Sequence, residues 1–179
     1  RFAQVSHEYL IEQVQFTGGE TIESGTQLKN INLDLNHPVK SLHWVIQDDD
    51  YLTTGSTGSN NQPLRYDCPS ATNGKNETFE TAKILMNGHD RFPVRDSDYF
   101  RLVQNYRHLR SSSDKHIYTY SFGLNPSEHQ PSGTCNFSRV DNSSLTLTFN
   151  TSTHTNNGDS KIKIYAHNYN VLRIMSGMA

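Results

Sequence analysis

Tyr120-Ser-Phe-Gly-Leu-Asn-Pro-Ser-Glu-His-Gln-Pro-Ser-Gly-Thr-Cys-Asn-Phe-Ser-Arg139 is the stretch on which the reading of the fold turns. A strand ends near Phe122. The chain then turns through Asn125-Pro126 and again through Pro131-Ser132-Gly133, and returns to extended structure near Asn136. Proline fixes φ and glycine admits φ > 0, so the stretch is a rigid, shaped crossover and not a slack linker. It carries no catalytic pattern. What it implies is architecture: strands joined by long, fixed connections.

Outward from it, the chain reads as strands on both sides. Downstream, Leu145, Leu147 and Phe149 alternate with Thr146 and Thr148, and Ile162, Ile164 and Ala166 open a long last strand that runs through Val171, Leu172 and Ile174. Between them Asn156-Asn-Gly158 marks a turn. Upstream, His116 to Phe122 is a strand. Before it, Tyr99, Leu102, Val103 and Tyr106 fall at the spacing of one helical face, with Asp96-Ser97 as the cap of a short helix. Thr78–Met86 and His89–Val94 flank Asn87-Gly88, a strong hairpin signal because a type I′ turn needs φ > 0 twice. Near the start, Tyr9 to Phe16 forms a strand that Gly18-Gly19 ends. Leu10, Val14 and Phe16 share one of its faces, interrupted by Glu12. Ile31, Leu33 and Leu35 alternate with Asn30, Asn32, Asp34 and Asn36, and Leu42, Trp44 and Ile46 repeat the period of two. These three alternating sets are expected to meet between two sheets, with Trp44 in the core.

Eight strands, one short helix and no alternation of strand with helix point to an all-β domain. The form that suits the long connections is an eight-stranded antiparallel jelly roll, two sheets face to face. An immunoglobulin-like sandwich is disfavoured, because Trp44 precedes both Cys68 and Cys135. With 179 residues the chain is one domain able to bury a real core. Only 33% of its residues are hydrophobic, which leaves many for polar loops. The longest such loop runs from Asp48 to Lys75. It is expected to lie outside the sheets and to tolerate shortening, since closure entropy grows slowly with length.

A net charge of -2 implies no nucleic-acid partner, and no apolar run reaches the length of a membrane span. Arg1-Phe-Ala-Gln lacks the apolar core of a signal peptide, and the absence of an initiator Met suggests a piece of a longer chain. Two cysteines are too few for a disulfide scaffold and are expected as free thiols. The nine histidines show no zinc-ligand spacing, so neither metal nor other cofactor is expected. Asp48-Asp-Asp50 reads as a solvated turn, because consecutive acids do not converge on a cation as spaced ligands do.

There is no nucleophile elbow, phosphate loop or His-Glu-x-x-His. His7-Glu8 and Glu128-His129 are adjacent pairs whose side chains diverge if extended, so no catalytic role is assigned. Four sequons, at Asn76, Asn136, Asn142 and Asn150, are candidate glycosylation sites, with Asn76 the best placed. The nine tyrosines serve either as core residues or as a sugar-binding platform, and the first is the ordinary role.

Five ordered blocks resemble the major capsid proteins of nucleocytoplasmic large DNA viruses. They are Arg1–Gly18, His37–Gln47, Asn87–Phe92 with Asp98–Phe100 and Leu102–Gln104, Ser121–Arg139, and Asn168–Gly177. Residues Asp48–Lys75 and Ser111–Lys115 match least. The resemblance implies that residues 1–179 are the C-terminal jelly roll of a double jelly-roll protein, its N-terminal jelly roll absent and its usual tail slightly cut short at Ala179. It further implies homotrimeric, pseudo-hexagonal capsomers that tile an icosahedral shell over an inner membrane. Partners would then be other copies, neighbouring capsomers and minor capsid proteins, within a virion assembled in the host cytoplasm. The Asp48–Lys75 loop would face away from the particle. Asn125, Pro126, His129, Pro131 and Gly133 of the crossover would lie near a contact between subunits or capsomers. The alternative of another class is a carbohydrate-binding or host-receptor-binding module of the same fold. A jelly-roll enzyme of the cupin kind would need a His-rich cluster on its strands, which the sequence lacks.

Overall fold

A computed structural model describes residues 5–51, 62, 64–68, 75–111, 114–149 and 159–175. Among them are ten strands: β1 (His7–Ile22), β2 (Leu28–Asn32), β3 (Pro38–Asp48), β4 (Thr81–Met86), β5 (His89–Asp90), β6 (Arg95–Asp96), β7 (Tyr118–Ser121), β8 (Cys135–Asn136), β9 (Ser143–Thr148) and β10 (Ser160–Ile174). One sheet has the order β1-β10-β3-β7, with β8 beside β3. The other has the order β2-β9-β4-β5, with β6 beside β4. Every pairing is antiparallel. Along the chain β1, β2, β3, β4, β7, β9 and β10 fall in alternate sheets, the wrapping of a jelly roll.

The expected count of eight differs from ten for two local reasons. The strand expected at His89–Val94 keeps only its start as β5, and pairing with β4 resumes beyond it as β6, because Pro93 between them has no N–H to give the ladder. The re-extended end of the crossover adds β8, two residues against Pro38 and Val39.

The three alternating sets meet between the sheets. Ile31, Leu33, Leu35, Leu42, Trp44, Ile46, Leu145, Leu147 and Phe149 all belong to one buried cluster. Asn30, Asn32, Asp34 and Asn36 are exposed, as the period of two demands. Trp44 is fully buried, with ring centroids of Phe100, Tyr118 and Phe79 at 5.2, 6.0 and 6.4 Å.

Three local expectations are corrected. Gly18-Gly19 does not end the first strand. The register shifts between Phe16 and Gly19, with Gly18 at φ 90°, and β1 continues to the buried Ile22. The strand placed at Thr78 starts only at Thr81, although Thr78 and Phe79 are already buried. The helix spans 97–109, directly after Asp96, and mixes α turns with π turns at Tyr99–Val103 and Asn105–Leu109. Its inward stripe is Phe100, Gln104 and Asn105, while Leu102, Val103 and Tyr106 are exposed, Tyr106 by 74%. A π turn widens the repeat, so a stripe counted at 3.6 residues slips off the buried face.

The connections gather at the two ends of the sandwich. At one end Ser24 N–H donates to Asp159 Oδ1 at 3.1 Å and Asp49 N–H donates to Asp159 O at 3.0 Å. At the other, His37 N–H donates to Ser138 Oγ at 2.8 Å and Asn87 N–H to Asn142 O at 2.7 Å. Asn87 (φ 50°) and Gly88 (φ 79°) both adopt the left-handed turn expected of them. Most of Asp48–Lys75 lies outside the described residues, as does the turn at Asn156–Gly158. At the described margins of that long loop, Tyr51 and Cys68 are buried and Leu64 is exposed. Asp49–Tyr51 is a short 3₁₀ turn, with Asp49 Oδ1 3.2 Å from Lys161 Nζ.

Candidate functional site

The crossover is built by close approach. A Cβ on Gly123 would lie 2.7 Å from Gly133 O, and one on Gly133 would lie 3.0 Å from Phe122 O. The two ends of the loop therefore touch backbone to backbone, which only glycine allows. Gly133 also sits at φ 142°. Ser121 Oγ donates to Gly123 O at 2.6 Å, Asn125 N–H to Ser132 Oγ at 2.9 Å, and Glu128 N–H to Asn125 O at 3.2 Å. Pro126 is buried and Asn125 half-buried, while His129, Pro131 and Gly133 are exposed. The loop is thus closed on itself and presents its tip to solvent.

Side chains of the first sheet fasten it. Between His167 and Asn168 the register of β10 against β3 jumps from Ser41 to Val39, leaving Lys40 as an extra residue. The bulge keeps Val39 in the core and turns Lys40 to the outer face. There Lys40 Nζ reaches Glu12 Oε1 at 2.7 Å and Glu128 O at 3.1 Å, and lies 4.7 Å from the Tyr169 ring centroid. His167 Nε2 is 2.9 Å from Glu12 Oε2, and His129 Nδ1 is 3.3 Å from Glu12 Oε1. Tyr169 Oη donates to His129 O at 3.0 Å. Lys40 is only 2% exposed, because the loop closes over it.

The electrostatics follow from this geometry. The hydrogen bond from Lys40 lowers the Glu12 carboxyl below its ordinary range. Burial opposes the shift, and the Lys40 charge and the two histidines add to it. His43, beside the cluster, bonds Ser41 Oγ at 2.9 Å and Thr119 Oγ1 at 3.0 Å. Desolvation, with His167 nearby, drops it to about 4, so it is neutral at pH 7.

This arrangement holds a loop, and nothing in it is poised for reaction. Glu12 is saturated by a lysine and two imidazoles. Glu128 and His129 do not act together: Glu128 Oε1 faces Arg110 at 3.4 Å, and His129 faces Glu12. Among the described residues no three His, Cys, Asp or Glu side chains converge as metal ligands. Cys68 is buried and Cys135 half-buried, neither of them in a disulfide, and burial raises the Cys135 thiol. A hollow of about 610 Å³ lies by Arg65, Tyr66 and His116. Another, of about 460 Å³, sits at the crossover end by Asp34, Asn36 and Asp141.

Of the sequons, Asn76, Asn136 and Asn142 are exposed. Asn76 stands at φ 56°, and Asn136 Oδ1 accepts from Ser138 N–H at 3.1 Å. Asn150 lies outside the described residues. Of the nine tyrosines, Tyr118 and Tyr120 belong to the buried core, with Tyr99 packed against it, while Tyr51 and Tyr169 are buried outside that cluster and Tyr9, Tyr106 and Tyr165 are exposed. Sequence reading found the loop but missed Glu12, Lys40, His167 and Tyr169. They are far from it in sequence, and the one available signal was a lysine inside an otherwise apolar strand.

Comparison with known proteins gives one answer. A family profile described as large eukaryotic DNA virus major capsid protein matches residues 1–179. The major capsid protein of Phaeocystis pouchetii virus is 38% identical, over 99% of this chain and 49% of its own length. That of Paramecium bursaria Chlorella virus 1 is 40% identical, again over 99% of this chain and 49% of its own. In the solved PBCV-1 virus capsid, a chain 35% identical superposes with a TM-score of 0.76, covering 99% of this chain and 51% of that one. The Faustovirus major capsid protein, 15% identical with a TM-score of 0.75, shares the fold. The chain spans about half the length of the curated relatives it matches.

Proposed function

The chain belongs to the major capsid protein family of large eukaryotic DNA viruses, and from that premise we propose that it is the C-terminal jelly roll of a double jelly-roll capsid protein. Its work is structural. Three copies of the whole polypeptide form a pseudo-hexagonal capsomer, and capsomers tile an icosahedral shell, with minor capsid proteins as further partners. It acts in the virion, is assembled in the host cytoplasm, and catalyses nothing. The observation that carries this reading is the match along the entire chain together with the alternation of strands between two sheets.

The geometry supports particular roles. A tile needs rigid edges, and the crossover is rigid because its glycines touch and a buried lysine fastens it. We place Asn125, Pro126, His129, Pro131 and Gly133 near a contact between subunits or capsomers. The end bearing the Asp48–Lys75 loop is the one that faces away from the particle. At that end, opposite the crossover, described margins of the β1–β2, β3–β4 and β9–β10 connections meet through Ser24, Asp49 and Asp159, and this favours the polarity. The proposed role involves neither nucleic-acid binding, in keeping with a net charge of -2, nor membrane insertion of this jelly roll. Electron microscopy of the full-length protein tests the proposal: pseudo-hexagonal particles about three chains in mass support it, and an isolated monomer at high concentration overturns it.

A further inference from the structure

The hollow of about 610 Å³ lies at the end of the sandwich opposite the crossover, between margins of the long Asp48–Lys75 loop and the segment that leads into β7. Its walls are tied to the core. On one side Arg65 Nε donates to Asp67 Oδ1 at 2.7 Å and Arg65 Nη1 to Gln62 Oε1 at 3.2 Å, and the guanidinium lies 4.6 Å from the ring centroid of the buried Tyr51. On the other, Cys68 N–H donates to Asn76 O at 2.9 Å and His116 Nε2 to Lys75 O at 3.1 Å. Beside Asn76, the buried Glu77 accepts from Arg101 Nε at 2.6 Å and from Tyr118 Oη at 2.7 Å. The hollow is therefore preformed, as small-ligand sites usually are.

Its chemistry is mixed. Leu64, 64% exposed, and the half-buried Tyr66 give it an apolar side. Asn76 and Asp114, both exposed, add an amide and a carboxylate that no other described residue hydrogen-bonds. Charges in the lining balance, Arg65 and Lys115 against Asp67 and Asp114. A site for phosphate or nucleic acid would show a cationic excess. A cation site would bring several oxygen or imidazole ligands together, and among the described residues no three His, Cys, Asp or Glu side chains do so. An apolar wall beside an unspent amide and carboxylate suits an uncharged ligand with a hydrocarbon face and many hydroxyls. A pyranose ring has that form: C–H bonds cover its face, and hydroxyls that both donate and accept line its edge.

We propose that this hollow binds a neutral sugar, with Tyr66 and Leu64 against the C–H face of the ring and Asn76 and Asp114 holding its hydroxyls. The carboxylate accepts from hydroxyls, and the amide both donates and accepts. The function is additional to the structural one. It rests on the capsid reading only for the origin of the sugar, since in that reading this end faces away from the particle. A glycan of the host surface and a glycan borne by the capsid itself offer the same chemistry.

The test is saturation-transfer NMR on the full-length polypeptide made in bacteria, with cellohexaose and mannohexaose as neutral probes and an oligogalacturonide of equal length as the charged control. The expected result is saturable transfer from a neutral probe with a Kd of about 1 mM. Tyr66→Ala should weaken it about tenfold through the lost ring contact, and Leu64→Ala and Asp114→Asn about threefold each. Tyr106→Ala, an exposed tyrosine on the helix, should leave it unchanged. Leu64 and Asp114 are exposed, so those two variants keep the test decisive if Tyr66→Ala fails to fold. No saturable transfer from either neutral probe at about 10 mM, tenfold above the expected Kd, overturns the proposal. Undiminished binding in both Leu64→Ala and Asp114→Asn, or tighter binding of the oligogalacturonide, overturns it too. Protein purified from particles separates the two sources: equal binding there assigns the hollow to a sugar from outside, and binding by the bacterial protein alone assigns it to the capsid's own glycan. Light scattering on the same samples reports the trimer separately. A trimer that binds no sugar removes this site and leaves the capsid reading standing, and a monomer that binds sugar does the reverse.

Discussion

Trp44 shows how little a single side chain leaves to interpretation. It is fully buried among Phe79, Phe100 and Tyr118, and its indole N–H has no hydrogen-bond partner among the described residues. Its whole contribution is therefore packing. Trp44→Ala should cost about 3–5 kcal/mol. Trp44→Phe should cost distinctly less, because it keeps a ring and removes the unpaired donor. Urea melts of the three proteins check this, and equal losses would mean that ring packing is not what Trp44 supplies. His43 gives the residue-scale pH dependence. Its folded-state value of about 4 lies below the ordinary 6.5, so between those values the unfolded chain binds a proton that the folded chain refuses. Stability is then complete above about pH 6.5 and falls as the pH drops toward 4, by up to roughly 3 kcal/mol. Glu12 acts in the same direction lower down: its carboxyl is depressed, so what it contributes is present above its ordinary value of 4.5 and lost as the pH falls through its folded value. His43→Gln should flatten the upper part of this acid limb, and an unchanged melting profile from pH 6.5 to 4 would contradict the assignment.

At the scale of the element, the strands were legible wherever one face is buried and the other wet. Ile31, Leu33 and Leu35 against Asn30, Asn32, Asp34 and Asn36 read true even though β2 itself ends at Asn32, because burial alternates past the last ladder bond. The helix was legible in place but not in facing, since π turns shift the stripe and put Gln104 and Asn105 inside. The crossover was legible as a rigid turn from its prolines and glycines. Its fastening was not, because Glu12, Lys40 and Tyr169 come from three strands and meet only through the fold. The bulge that exposes Lys40 to Glu12 has no local sequence mark. Two substitutions separate these causes. Gly123→Ala forces a Cβ to within 2.7 Å of Gly133 O and should destabilise the loop by about 1–3 kcal/mol through backbone strain. Lys40→Ala leaves the turn intact but frees it from the sheet, for a loss of about 1–3 kcal/mol in global stability. It should also speed proteolysis within the crossover. If Lys40→Ala leaves cleavage unchanged, the glycine contact alone holds the loop.

At the scale of the whole molecule, the question is how a single jelly roll serves a shell. One sandwich presents one set of edges, while two joined in a chain and repeated three times present six nearly equivalent sides, enough to tile a plane. The chain's asymmetry fits a member of such a set. Its two ends carry different loops. A net charge of -2 adds little repulsion between copies packed side by side. The full-length polypeptide should therefore sediment and scatter as a stable trimer. On the proposed double jelly-roll reading the 179 residues alone supply half of each repeating unit, and they should stay mostly monomeric. Light scattering on both proteins across a hundredfold range of concentration decides the point. A trimer from the short chain would mean that the contacts between subunits lie wholly within this jelly roll. A monomeric full-length protein would remove the premise that these sheets were shaped for a shell.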